Sequence, residues 1–105
     1  MEAPKIFEKS KKGYRYYYVV RFNIEFNNKQ GKWDYDQVDL PFGDPTYDDI
    51  VNAMISYKYP IDKMQAVVNN YLLDPDSDSN KSEFINMQEW RKYSKEYAKD
   101  IMSNF

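Results

Sequence analysis

The residues that could do chemistry in this chain of 105 are carboxylates, lysines, arginines and tyrosines, because histidine and cysteine are both absent. Without histidine the commonest general acid/base near neutral pH is missing, together with the commonest transition-metal ligand. Without cysteine there are no thiol nucleophiles, disulfides or zinc–thiolate sites. Ser-His-Asp and Cys-His machinery cannot be assembled from this chain alone. Catalysis would have to run on carboxylates, lysines or tyrosines, and the arrangement of each group argues against it.

Asp74-Pro75-Asp76-Ser77-Asp78-Ser79-Asn80 places carboxylates at alternate positions, as the first ligands of an EF-hand loop are placed. The remainder of that motif is missing. Ser79 stands where glycine is required, and Ile85 stands where a bidentate glutamate belongs. A polar loop that caps the next helix accounts for the same residues. The pairs Asp34/Asp36 and Asp48/Asp49 would serve glycoside chemistry only across a deep cleft. Asp48 and Asp49 are explained by a helix N-terminus, Asp34 and Asp36 by the solvent side of a strand. Gly13, Gly31 and Gly43 are isolated and form no phosphate loop. The reading is therefore of a protein that is not an enzyme, with no cofactor, no metal and no small-molecule substrate.

Tyr14-Arg15-Tyr16-Tyr17-Tyr18-Val19-Val20-Arg21-Phe22 mixes aromatic and basic residues as nucleic-acid-binding sheets do. Binding nucleic acid through this first strand is the alternative function. Tyr14, Tyr16 and Tyr18, however, are in phase with Val20 and Phe22, which puts them on the core side. Asp34, Asp36 and Asp39 on the next strand would repel phosphates, and the net charge is -2. Charge is also segregated along the chain. Residues 1–32 carry eight Lys/Arg against three Glu, whereas residues 33–80 carry two Lys against ten Asp.

The elements that must position these groups follow from periodicity. Tyr14 to Phe26 alternates at period two and reads as a long half-buried strand. Asn27-Asn28-Lys29-Gln30-Gly31 supplies a hairpin turn, and Lys32 to Pro41 returns. In the returning strand Trp33 and Tyr35 share one parity, Val38 and Leu40 the other. A β-bulge near Asp36-Gln37 would bring them onto one face. Ile6-Phe7 reads as a short additional strand turning at Ser10-Lys11-Lys12-Gly13. The period then becomes helical. Thr46 is an N-cap followed by Ile50, Val51, Met54 and Ile55 on one stripe of a helix over 46–58. Pro60 opens a second helix over 60–73, with Ile61, Met64, Val67, Val68, Tyr71 and Leu72 as its stripe. Asn80 and Glu83 have capping-box spacing for a third, over 81–103. Its broad apolar face carries Phe84, Met87, Trp90, Tyr97, Ala98 and Ile101. The expected fold is a single α+β domain over 1–105, an antiparallel β-hairpin or three-stranded meander within 5–41 followed by three helices.

No stretch is long and apolar enough to be a membrane span, and Met1 to Lys12 lacks the apolar run of a signal peptide, so the expected location is cytoplasmic, with no membrane partner. Nineteen aromatic residues, eleven of them tyrosine, are too many for a domain of this size to hide. Tyrosine and tryptophan are enriched at protein interfaces, so the surplus points to a protein partner or to self-association. Tyr17, Tyr57, Tyr59, Trp90 and Tyr93 are the candidate exposed interface residues.

Tyr47-Asp48-Asp49-Ile50-Val51, then Tyr59-Pro60-Ile61-Asp62-Lys63-Met64-Gln65-Ala66-Val67-Val68-Asn69-Asn70-Tyr71-Leu72, then Met87-Gln88-Glu89-Trp90-Arg91-Lys92 carry one further signal. Over Tyr47 to Met102, about half the chain, the sequence resembles a family of small uncharacterised proteins encoded in phage or prophage regions of gut bacteria. That resemblance implies a phage-associated accessory or structural role and transfers no functional residues.

Overall fold

The computed structural model describes residues 2–104. Three strands, β1 (Phe7–Lys12), β2 (Arg15–Asn27) and β3 (Lys32–Asp39), precede three helices, α1 (Tyr47–Lys58), α2 (Ile61–Leu73) and α3 (Asp78–Asn104). The fold is α+β, with an antiparallel sheet of order β1-β2-β3. The chain divides into two compact units, 1–50 and 51–105, with the boundary in the first turn of α1.

In the first unit the meander has three strands, and β1 is longer than Ile6-Phe7. It runs to Lys12, which pairs with Arg15, so the turn is Gly13-Tyr14 rather than Ser10 to Gly13. Gly13 has φ +67°, the left-handed value that a two-residue hairpin loop with glycine first requires. Tyr14 consequently sits at the tip of the turn and is fully exposed, not on the core side that its parity suggested. Tyr16 and Tyr18 do share the face of Val20 and Phe22. Both are half-buried there, whereas Val20 and Phe22 are completely buried.

The expected bulge exists, but in the other strand. From Phe22↔Asp36 to Glu25↔Asp34, β2 advances three residues while β3 advances two. The extra residue lies at Asn23-Ile24, and Asn23 has φ +53°. Asparagine is one of the few L-residues that enter the left-handed region at modest cost, which is why the strand bulges there. The Asn23 side chain also donates from Nδ2 to Asp36 Oδ2 at 2.8 Å. β3 itself is regular, so Trp33 and Tyr35 stay on the face opposite Val38.

The helix starts follow from caps. Thr46 Oγ1 accepts from the Asp49 amide at 3.2 Å, while the Thr46 amide donates to Asp49 Oδ2 at 2.9 Å. This reciprocal box starts α1 where the sequence placed it. Pro60 is the residue before α2 rather than its first helical residue. Only Val67 is buried along α2; Ile61 and Leu72, expected on its apolar stripe, are exposed.

α3 begins three residues before the expected Lys81. Ser77 Oγ accepts from the Asn80 amide and Ser77 O accepts from the Lys81 amide, so Ser77 is the cap. The side chain of Asn80 instead donates to Asn70 O at 3.0 Å and Asp74 O at 3.3 Å, satisfying carbonyls at the end of α2. α3 buries Met87, Trp90, Ser94, Ala98 and Ile101, a 3.6-period stripe. Tyr71 of α2 stacks on Phe84 of α3, with centroids 4.3 Å apart.

Candidate functional site

The bulge at Asn23 decides which aromatic residues reach the surface. Facing residues of an antiparallel pair project to the same side, and side chains alternate along each strand. Val20, Phe22 and Val38 therefore share one face with Tyr16, Tyr18, Lys9, Lys11, Asp34 and Asp36. The opposite face carries Tyr17, Val19 and Arg21. On a straight β2, Phe26 would have followed Phe22 into the buried face. One extra residue turns it over to pair with Trp33.

The outcome is a strip along the second face of the sheet, formed by Tyr17, Phe26, Trp33 and Tyr35 with Phe42 from the following loop. Phe26, Tyr35 and Phe42 are each 43% exposed, and Tyr17 and Trp33 are half-buried. The rings hold one another in place. Phe26 and Trp33 lie 5.2 Å apart, and Tyr17 meets Phe42 edge to face at 5.9 Å. The Arg15 guanidinium lies 3.9 Å over the Phe42 ring.

Arg21 occupies the middle of the strip. It donates from Nε to Gln37 Oε1 at 2.9 Å, from Nη1 to Lys5 O at 3.1 Å and from Nη2 to Glu8 Oε1 at 3.2 Å. Its guanidinium is also 5.4 Å from the Tyr35 ring. These contacts link β1, β2 and β3 on this face and commit the arginine to partners in its own chain.

The candidate interface residues are distributed over both units. Tyr17 lies on the strip. Tyr57, on α1, and Tyr93, on α3, are 49% and 37% exposed. Tyr59 and Trp90 are buried, at 7% and 9% exposure, and this corrects the expectation that they are surface residues. Trp90 Nε1 donates to Met54 O at 2.9 Å, and Ser94 Oγ donates to Trp90 O at 2.8 Å. An indole whose one donor is bonded to a neighbouring helix backbone belongs to the interior. Tyr93 lies against it at 5.3 Å and continues to Tyr97 at 5.5 Å. Burial, with Tyr93 alongside, pushes the Tyr97 phenol up to about 12, and burial raises Tyr93 as well.

Asp34, Asp36, Asp44 and Asp49 have structural partners. Asp34 accepts from Asn27, Asp36 from Asn23, and Asp49 closes the α1 cap. Asp44 accepts from Tyr16 Oη at 3.0 Å, which raises the phenol's pKa. Among the described residues no group of three or more carboxylates is placed to hold a metal ion, and no helix is long and apolar enough to cross a membrane. A groove of about 290 Å³ between α2 and α3 is lined by Tyr59, Lys63, Val67, Asn70, Glu83 and Asn86.

Phe26, Trp33, Tyr35 and Phe42 escaped the sequence reading. Their signal was present in the parity clash along β3, which the reading resolved by bending the wrong strand. Asn23, the one residue of β2 suited to a positive φ in mid-strand, was the indication that β2 carries the extra residue. In comparison with known proteins, no family model, no curated protein and no solved structure matches this chain.

Proposed function

We propose that this chain is a non-enzymatic assembly module whose copies associate through the β-sheet. The observation that carries the reading is the strip of exposed Phe26, Tyr35 and Phe42 with half-buried Tyr17 and Trp33, interleaved with Arg15 and Arg21. Tyrosine, tryptophan, phenylalanine and arginine are the residues in which interface centres are enriched. Rings held by one another and by arginine lose little rotamer freedom on docking, which lowers the entropic cost of association. The accessory or structural role implied by the resemblance of Tyr47 to Met102 to phage-encoded proteins is of the same kind.

Light scattering on Trp33→Ser/Tyr35→Ser tests the reading. Loss of the larger species, with helix and strand content unchanged by circular dichroism, is expected. A folded variant with the wild-type mass distribution would remove the strip from the account.

A further inference from the structure

The three most exposed large apolar side chains among the described residues are Tyr14, Leu73 and Leu72, at 107%, 84% and 70%. They occur at two places, the tip of the β1–β2 hairpin and the end of α2, and their neighbours in sequence are of opposite charge. Lys9, Lys11, Lys12 and Arg15 flank Tyr14, with no acidic residue between Lys9 and Tyr18. Asp74, Asp76 and Asp78 follow the leucines, with no basic residue between Lys63 and Lys81.

The tip is suited to receive an anion beside an apolar group. Lys12 and Arg15 are directly opposed in the last rung before the turn, so their side chains leave the sheet on the same face. Like charges so placed repel, and a carboxylate set against them relieves the repulsion. Among the described residues neither has an ion pair. The Arg15 guanidinium is held 3.9 Å over the Phe42 ring, beside a hollow of about 330 Å³ lined by Tyr14, Arg15, Tyr16, Phe42 and Gly43. Three of those five residues are aromatic, a lining that favours an aliphatic side chain. Tyr16 leaves the sheet on the face opposite Arg15, and its hydroxyl is bonded to Asp44 at 3.0 Å.

The end of α2 is the complement. Leu73 is the last residue of the helix. The Asn80 side chain fastens the following loop through its backbone, donating to Asn70 O and Asp74 O. The carboxylates of Asp74 and Asp76 have no hydrogen bond or ion pair among the described residues. Asp78 lies in the first turn of α3, where its charge complements the helix, and has no part in the pairing.

We propose that the β1–β2 tip of one copy docks on the α2–α3 loop of a second copy, with Leu73 in the aromatic hollow and Asp74 and Asp76 against Lys12 and Arg15. The leucine–aspartate segment that fits the tip is carried by the chain itself, and neither patch is covered within one chain, so the occupant is another copy. Residues two apart lie about 5.5–7 Å from one another between Cα atoms, and a facing pair about 4.5–5.5 Å, so the two anions can meet the two cations together. The proposal shares with the assembly reading the premise that copies associate, and uses a different contact, so the two can fail separately.

The test is the mass distribution by light scattering of wild type, Lys12→Glu/Arg15→Glu and Asp74→Lys/Asp76→Lys, alone and mixed. Each double variant alone should raise the concentration for half-association at least roughly tenfold, as for charge pairs within an interface. An equimolar mixture should restore association, because each variant then offers the charge that the other lacks. Damage to the strip through Arg15 would not be repaired by mixing. Leu73→Ser should weaken association as well, and wild-type association in that variant would overturn the seating of the leucine. Double variants that assemble like wild type while Trp33→Ser/Tyr35→Ser does not would overturn the tip contact and leave the strip standing. A monomeric wild type would overturn both, and one that also binds a labelled single-stranded oligonucleotide through Lys12 and Arg15 would assign the tip to a phosphate backbone instead. Should the double variants fail to fold, carbodiimide coupling of mixed ¹⁴N and ¹⁵N wild-type chains decides the matter. Mixed-isotope links joining Lys11 or Lys12 to Asp74 or Asp76 are expected, and intermolecular links confined to other residues would refute the arrangement.

Discussion

Asn23 is the hinge of the account, because the residue inserted there turns Phe26 out of the buried face. Replacing it separates two contributions. At φ +53° a β-branched side chain meets steric strain that asparagine largely avoids, costing about 1–2 kcal/mol. The hydrogen bond from the Asn23 side-chain Nδ2 to Asp36 at 2.8 Å is exposed and contributes about 0.5–1 kcal/mol. Asn23→Val loses both and should destabilise the first unit by about 2 kcal/mol, lowering its Tm by about 10 °C. Asn23→Gly loses the hydrogen bond but keeps the backbone conformation, so its cost should stay near 1 kcal/mol or below. Urea denaturation followed through Trp33 fluorescence measures the difference, provided the m-value is unchanged. Equal midpoints for valine and glycine, or a valine variant as stable as wild type, would show that the bulge does not depend on a left-handed residue at 23.

Trp90→Phe keeps a ring beside Tyr93 and under Lys58 but leaves Met54 O without its indole donor, and should cost about 2 kcal/mol in chemical denaturation. Thr46→Ala and Asp49→Ala should each cost about 1 kcal/mol, and the double variant less than their sum, since both belong to one reciprocal cap. Tyr97 should be among the last tyrosines to ionise in an ultraviolet titration. Its folded pKa is raised from 10.0 to about 12, so the stabilisation is complete below pH 10 and is lost as pH rises from 10 through 12. Tyr97→Phe should flatten that part of the stability–pH curve, and an unchanged curve would place the effect on another phenol. Oligonucleotide binding at low salt should be absent, because Arg21 is engaged with Glu8, Gln37 and Lys5 O; a salt-dependent shift in fluorescence anisotropy would restore the nucleic-acid reading.

Local signals wrote most of the fold into the sequence. The alternation of β2 from Tyr16 to Phe22, the Thr46 cap and the Met87–Trp90–Ala98–Ile101 stripe all appear where periodicity and capping chemistry put them. The errors came where one residue had two local uses. Asn80 and Glu83 have capping-box spacing, yet Ser77 caps α3 and Asn80 serves the carbonyls at the end of α2. Ser10 to Gly13 contains turn residues, yet Gly13 alone supplies the positive φ, so the turn moves to its C-terminal side.

The candidate surface was less legible than the fold. An exposed aromatic and a buried one carry the same residue name, and only the register of β2 against β3 separates Phe26 and Trp33 from Phe22 and Val38. Trp90 misled for the corresponding reason. Its hydrogen-bond acceptor, Met54 O, lies 36 residues away, and no local pattern announces it.

The most direct test of the account is the solution mass of the unmodified chain as a function of concentration. Copies that associate through the sheet should give a weight-average mass that climbs above 12.7 kDa as concentration rises. A mass that stays at 12.7 kDa into the millimolar range would contradict self-assembly through the aromatic strip.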